Sequence, residues 1–150
     1  MAPLSILLFL AALVLSETAP VADTDLKTQD STSPLSVKIL DAVFGKATNN
    51  MDVEVYRQAE NGSWILFATG KTTSLGEVPD LVKAEDFVEG VYKVKLNSWA
   101  YWRKVGITPF YENVQVVFRA NHVVRRNYII AALLSPYSQT ISAVVSDPIS

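Results

Sequence analysis

Apolar and polar side chains alternate along most of the chain from residue 35 onward. A period of two is typical of half-buried β-strands, because successive side chains of a strand point to opposite faces of the sheet. In the first run, Leu35, Val37 and Ile39 share one face. Six similar runs follow, at residues 53–57, 64–69, 91–96, 114–120, 128–134 and 140–145. The pattern predicts an all-β fold, a sandwich of two antiparallel sheets.

One stretch departs from this period and has the signals of a helix. Asn97 is placed to cap a helix over residues 98–105, Gly106 to end it, and Pro109 to prevent its return. Residues 80–87 have weaker helical character and are predicted to form a loop. The sandwich should therefore carry one short helix.

The N-terminal part of the chain is unlike the rest. Residues 4–15 are apolar with one exception, and they are too few to span a bilayer. We therefore predict a secretory signal peptide over residues 1–19, cleaved near residues 16–19, and a secreted, extracellular protein. Residues 20–33 are rich in Thr, Ser and Asp, which favours a flexible arm before a single domain at residues 34–150.

Composition excludes several classes of function. The chain is 49% hydrophobic and 19% charged, which is enough apolar surface to bury a core. It contains no cysteine, so disulfides, thiol catalysis and cysteine metal sites are excluded. Its 15 acidic and 13 basic side chains nearly balance, which points to neither nucleic acid nor an anionic membrane as a partner.

The tripeptide Asn61-Gly62-Ser63 separates the second strand run from the third. Asn-Gly is a strong hairpin signal, because both residues accept positive φ angles. The tripeptide is also an N-glycosylation sequon at a hairpin tip of an exported chain. Asn61 is therefore a glycosylation candidate, and plain turn chemistry is the alternative.

The last two strand runs share a mixed face of small and apolar side chains. The tight connection at residues 135–138 favours antiparallel neighbours. Their common face then carries Ile129, Ala131, Leu133, Thr140, Ser142 and Val144. Such a face is either the solvated outside of the sheet or a surface that meets a ligand or another copy. If two such faces met in an oligomer, the gap between them would form a channel.

Several segments resemble the transthyretin family. They are PLSVKILDAV at residues 34–43, FVEGVYKV at 87–94, GITPF at 106–110, VVF at 116–118 and IAALLSPYS at 130–138. The resemblance implies a Greek-key sandwich that assembles into a homotetramer around a central channel. It also implies an extracellular carrier of thyroid hormones, thyroxine or triiodothyronine, in blood plasma or cerebrospinal fluid, without catalysis, metal or cofactor.

The resemblance assigns residues to the hormone site. Those near the mouth of the channel are Lys38, Leu40 and Glu77, and those deeper in it are Ala131, Ala132, Leu133, Thr140, Ser142 and Val144. In this assignment Lys38 pairs with the carboxylate of the hormone and Glu77 with its ammonium group. The iodinated rings are buried deeper.

Four channel positions depart from the family pattern. Ser36 stands where a Met is usual, Ile129 replaces a Thr, and Thr140 and Ser142 replace a Ser and a Thr. Thr140 adds a methyl group at the narrow floor of the channel, where symmetry brings copies together. We therefore hypothesise weaker thyroxine binding, or a preference for a less iodinated hormone.

The resemblance also assigns contacts between chains. The strands at residues 114–120 and 140–145 are expected to pair with their symmetry mates, and Phe110 to insert into the neighbouring subunit. A further surface matches part of the one that carries retinol-binding protein, a candidate partner, through Val105, Ile107 and Tyr137. Phe44 stands beside it where a basic residue is usual.

A sister family, the 5-hydroxyisourate hydrolases, is the main alternative. Those enzymes use two His and an Arg in the channel and end in a Tyr-Arg-Gly-Ser signature. Here the three positions carry Lys38, Ile129 and Glu77, and the ending is SAVV at residues 142–145. The single histidine, His122, falls in a predicted loop.

Two further classes are disfavoured. The histidine-based metal positions at the periphery of the family carry Tyr111, Asn113 and Gln115, so no zinc site is expected. An adhesion module of immunoglobulin type would need a Cys and Trp spacing that this chain lacks. The carrier is therefore our first hypothesis.

Overall fold

The structure is a computed structural model that describes residues 33–121 and 126–147. The predicted signal peptide, nearly all of the predicted arm and His122 lie outside the described residues. Within these ranges the chain forms eight strands and one helix. They are β1 (Leu35–Asp41), β2 (Lys46–Ala47), β3 (Asp52–Gln58), β4 (Trp64–Lys71), β5 (Gly90–Leu96), α1 (Ser98–Lys104), β6 (Val114–Ala120), β7 (Asn127–Leu134) and β8 (Gln139–Ser146).

The strands form two four-stranded sheets, ordered β2-β1-β7-β8 and β4-β3-β5-β6. All neighbours are antiparallel except β1 and β7, which run parallel. The predicted two-sheet sandwich is therefore confirmed, and all seven predicted strands are present. The eighth, β2, has only two residues and is too short to show a period of two.

The core lies between the inner faces of the two sheets. Strand β1 buries every second residue, which is the alternation that the sequence predicts. In the other sheet, Tyr92 is fully buried and its ring contacts those of Phe67, Phe87 and Phe118. Its hydroxyl donates a hydrogen bond of 2.7 Å to the carbonyl of Val88, so the polar end of this core residue is satisfied.

Helix α1 ends as its sequence predicts but begins differently. Gly106 has φ +84°, its N–H donates to the Arg103 carbonyl, and the Ile107 N–H donates to the Trp102 carbonyl at 2.9 Å. This is the Schellman arrangement that glycine favours after a helix. The predicted cap by the Asn97 side chain is wrong, because that side chain makes no capping bond. The Asn97 N–H instead donates to the carbonyl of Asp52 and ties the helix to β3.

The hairpin between β3 and β4 has its tip at the predicted tripeptide. Only Gly62 of the Asn-Gly pair has a positive φ, +83°. Asn61 has an ordinary φ, and its side-chain oxygen accepts hydrogen bonds from the N–H and hydroxyl of Ser63, at 3.0 and 2.6 Å. Both side chains of the sequon are therefore at the exposed tip and contact each other.

The folded domain begins earlier than predicted. Ser33, assigned above to the flexible arm, is buried. The Ser33 Oγ lies 2.8 and 3.0 Å from the carbonyl oxygens of Leu35 and Val82, which share its one proton, and it accepts a hydrogen bond from the Val82 N–H. Ser33 therefore belongs to the sandwich.

Asp41 and Tyr101 link β1 to helix α1. The buried carboxylate of Asp41 accepts the N–H groups of Val43 and Phe44, at 2.8 and 2.9 Å, and the Tyr101 hydroxyl at 2.6 Å. Burial first, and then this bond, raise the pKa of Tyr101 well above its ordinary value. The folded protein therefore holds the phenol in its protonated form.

The raised pKa of Tyr101 predicts a loss of stability in alkali. A group whose pKa is higher in the folded state contributes stability that is intact below its unfolded pKa, about 10 for tyrosine, and declines as the pH rises above it. Urea unfolding between about pH 9 and 11 should show this decline. The decline should be shallower in Tyr101→Phe. Part of the decline should remain in that variant, because burial also raises the pKa of Tyr92. Equal slopes in the two proteins would contradict the prediction.

Candidate ligand-binding site

The outer face of the sheet β2-β1-β7-β8 carries most of the predicted ligand residues. Because β1 pairs with β7 and β7 with β8, side chains of the three strands align in rows across the sheet. The rows are Ser36, Ile129 and Val144, then Lys38, Ala131 and Ser142, then Leu40, Leu133 and Thr140. We call these nine residues the mixed face. The structure therefore brings together residues that are about 90 positions apart in the sequence.

The mixed face exposes an unusual amount of apolar surface. Four of its side chains, Leu40, Ile129, Leu133 and Val144, are between 38% and 53% exposed. They flank the middle row, where Ala131 and Ser142 are small, so the centre of the face is lower than its two sides. Several exposed apolar side chains on one face usually mark an interface or a ligand surface.

An ion pair lies at the β1 edge of the mixed face. The Lys38 Nζ is 2.8 Å from the Glu77 Oε1, and the backbones of the two residues form an isolated β-bridge. The resemblance implies that these two charges pair with the carboxylate and the ammonium group of one hormone, whereas in this structure they bind each other. Both side chains are partly exposed, so opening the pair costs at most about 1 kcal/mol.

A glycine places Glu77 at this edge. Gly76 has φ +73°, and its carbonyl accepts the Ile39 N–H at 2.9 Å. A Cβ at position 76 would lie 2.3 Å from the Ile39 carbonyl oxygen, so only glycine allows this approach to β1. Gly76 thereby lets the backbone of Glu77 form its bridge to Lys38.

The prediction for Ala132 is wrong. Its side chain is 2% exposed and packs in the core, on the opposite side of the sheet from Ala131 and Leu133. Successive residues of a strand point to opposite faces, so three consecutive residues cannot all present their side chains to one ligand. Ala132 is therefore removed from the candidate site.

The residues predicted to contact other subunits lie outside the mixed face. Phe110 is 72% exposed, and its ring stacks on that of Tyr137 with centroids 6.2 Å apart. The backbone of Phe110 is fixed, because its N–H donates to the Pro136 carbonyl at 2.9 Å. Val105 is exposed at the end of α1, whereas Ile107 is half-buried against the core. Phe110 is thus held at the surface with most of its ring exposed.

One feature of the fold was not predicted from the sequence. A groove of about 650 Å³ lies between α1 and the turn that follows β2. Its lining residues come from three separate stretches of the chain, residues 46–52, 71–74 and 97–105, so no local motif indicates it.

Within residues 33–121 and 126–147, no three His, Cys, Asp or Glu side chains are grouped so that they could hold a metal ion. No helix in the same ranges is both long and apolar enough to cross a bilayer.

The family model for HIUase/Transthyretin matches residues 35–141, from the first residue of β1 into β8. The chain belongs to the HIUase/transthyretin family. This family includes both non-enzymatic transthyretins and HIUase enzymes, and its members typically assemble as tetramers. The resemblance found in the sequence is therefore confirmed at the level of the family. The choice between carrier and enzyme depends on the residues of the mixed face.

Proposed function

We propose that this protein is a non-enzymatic, extracellular carrier of thyroid hormone, thyroxine or triiodothyronine. The hormone would occupy a channel between the mixed faces of two subunits in a homotetramer. The observation that carries this proposal is an exposed apolar surface with one positive and one negative side chain at its edge. That combination suits an aromatic amino acid.

The apolar rows favour the ring system of such a ligand. Burying apolar surface contributes roughly 25 cal/mol per Å², so two large rings contribute several kcal/mol. Lys38 and Glu77 are close enough to exchange their mutual bond for bonds to the carboxylate and ammonium groups of the hormone. Affinity would come from the rings, and the two charges would set the orientation.

The same residues argue against hydrolysis. Catalysis would require a base or an activated nucleophile on the mixed face. The hydroxyls of Thr140 and Ser142 lie opposite Leu133 and Ala131 in the register, so neither has a basic neighbour across the strand pair. The Lys38 ammonium is bound to Glu77. Nothing in the three rows is arranged to take a proton from a nucleophile.

Two assays on the purified protein test the proposal. In calorimetry we expect saturable binding of both hormones, with triiodothyronine at least as tight as thyroxine, because Thr140 adds a methyl group to the channel floor. With 5-hydroxyisourate we expect no turnover. Turnover that disappears in Lys38→Ala would replace the carrier with an enzyme, and ordinary thyroxine affinity would refute the hypothesis of altered hormone preference.

Replacing Lys38 by glutamine should change orientation more than affinity. The variant loses one partly exposed charge, so hormone binding should weaken by no more than about 1 kcal/mol, or roughly fivefold. The effect should shrink as salt is added. Titration calorimetry at two ionic strengths measures the loss of affinity and its dependence on salt. The control is Lys83→Gln, which changes an exposed lysine in the loop after β4. A loss of all binding would contradict a peripheral role for this charge.

Export would make Asn61 available for glycosylation. The sequon lies at the exposed tip of the β3–β4 hairpin, where an oligosaccharyltransferase can reach it. Expressed through a eukaryotic secretory pathway, the protein should migrate as a larger species that returns to the unmodified mass after treatment with an N-glycosidase. Asn61→Gln should abolish the shift, whereas Asn121→Gln should not. Secretion of an unmodified protein would mean that the tripeptide serves the turn alone.

Retinol-binding protein is a further proposed partner. Val105 and Tyr137 are exposed as docking would require, but Ile107 is half-buried and Phe44 replaces the usual basic residue. Surface plasmon resonance with retinol-loaded retinol-binding protein tests this partnership. We expect Phe44→Arg to strengthen the interaction. The hormone proposal does not depend on this outcome.

A further inference from the structure

The groove beside α1 is separate from the mixed face and shares no residue with it. Its volume of about 650 Å³ lies in the range of small-molecule sites, roughly 300–1,000 Å³. The polar side chains that line it include Lys46, Lys71, Lys104, Asn49, Asn50 and Ser74. Ammonium, amide and hydroxyl groups of this kind donate hydrogen bonds to an anion.

The walls of the groove are fixed by backbone hydrogen bonds. The Asn50 N–H donates to the Thr72 carbonyl at 2.8 Å, and the Thr72 N–H donates to the Met51 carbonyl at 3.0 Å. The Asn97 N–H donates to the Asp52 carbonyl at 2.9 Å and holds the start of α1 against β3. The turn after β2, the end of β4 and the helix are thus joined, and the groove exists before a ligand binds.

Positive charge exceeds negative charge in the groove. Asp52 is the one carboxylate among its lining residues, and it is already paired with Lys71. None of the four ion pairs between described residues includes Lys46 or Lys104. The Nζ of Lys46 lies 5.3 Å from the centroid of the Phe44 ring. Two lysines of the groove, Lys46 and Lys104, are therefore in no ion pair among the described residues.

We propose that this groove binds a small organic anion that carries two phosphate or sulfate groups. Lys46, from β2, and Lys104, from the last turn of α1, would each bind one group, because lysine acts as a point charge toward such anions. The neighbouring amides and Ser74 would complete the hydrogen bonds. The protein would then carry two ligands of opposite character, an aromatic one on the mixed face and a hydrophilic anion here.

Calorimetry with inorganic pyrophosphate tests the proposal, and a disulfated disaccharide in parallel distinguishes phosphate from sulfate recognition. We expect saturable binding of at least one probe, weakened about tenfold in Lys46→Gln and in Lys104→Gln, since each removes a charge-assisted hydrogen bond. Lys83→Gln is the control for general surface charge. Lys38→Gln, a change on the mixed face, should leave binding of the anion unchanged. Because the two sites share no residue, failure of hormone binding and failure of anion binding are separate results.

Nuclear magnetic resonance locates the site. Pyrophosphate should shift the backbone amides of Asn49, Asn50 and Ser74 and leave those of Lys38 and Ala131 unchanged. The absence of saturable binding of both probes at millimolar concentration would overturn the proposal. So would an equal loss in Lys83→Gln, because binding would then follow net charge and not the groove.

Discussion

Replacing Phe110 by alanine is expected to convert the proposed tetramer into monomers. Phe110 is 72% exposed in the single chain. Its backbone N–H is nevertheless bound to the Pro136 carbonyl, and its ring stacks on that of Tyr137. Burying it in a neighbour would remove about 150–250 Å² from water, or roughly 4 kcal/mol. A two-fold interface contains the contact twice, so the dissociation constant of the dimer should rise at least about 1,000-fold.

Sedimentation velocity over a range of protein concentrations measures this change. Ile65→Ala is the matched control, since Ile65 is a comparably exposed apolar residue on β4, in the other sheet. The control should sediment as the unmodified protein does. A Phe110→Ala variant that remains tetrameric at the lowest concentration would show that assembly uses another surface, most directly the edges of β6 and β8.

The strands could be predicted from the sequence because each buries one face. In β1, the buried residues are those that the period of two selects, and the same holds for β5. The parallel pairing of β1 with β7 could not be predicted from period alone, since it depends on which distant strands meet in the sheet. The structure therefore adds this parallel pair to the antiparallel sheets that the sequence predicts.

On the mixed face, the local alternation of side chains and the resemblance to the family predict different residues. Once the register is known, the alternation alone selects Ile129, Ala131 and Leu133 for the outer side of β7. Ala132 entered the prediction through the resemblance, against the period of two, and its burial shows that the period was the better guide to the side chain. Where a transferred residue contradicts the local alternation, the alternation deserves priority.

Glu77 and the groove depend on features that no periodicity contains. Glu77 reaches β1 because the Gly76 backbone passes closer to Ile39 than any side chain would allow. The groove forms where the turn after β2, the end of β4 and α1 converge. Lys46 and Lys104 are nearly 60 residues apart, and their common surface becomes visible only in three dimensions.

Replacing Thr140 by glutamate is expected to abolish hormone binding while leaving the sandwich folded. Thr140 is exposed in the single chain and lies across from Leu133, two strands away from Lys38. In the proposed channel, copies of residue 140 from different subunits approach one another at the floor. The variant would therefore place carboxylates together in a region from which the bound hormone excludes water. An uncompensated buried charge costs about 3 kcal/mol or more, which corresponds to a loss of affinity above about 100-fold.

The control is Thr69→Glu, the same substitution at an exposed threonine of β4 in the other sheet. Both variants should unfold at the temperature of the unmodified protein at a concentration where it is monomeric, because neither residue lies in the core. Calorimetry with thyroxine should then separate them, with binding lost in Thr140→Glu alone. If Thr140→Glu bound the hormone as tightly as Thr69→Glu does, the hormone would lie away from the mixed face. The exposed apolar rows would then have to be explained by contact between chains alone.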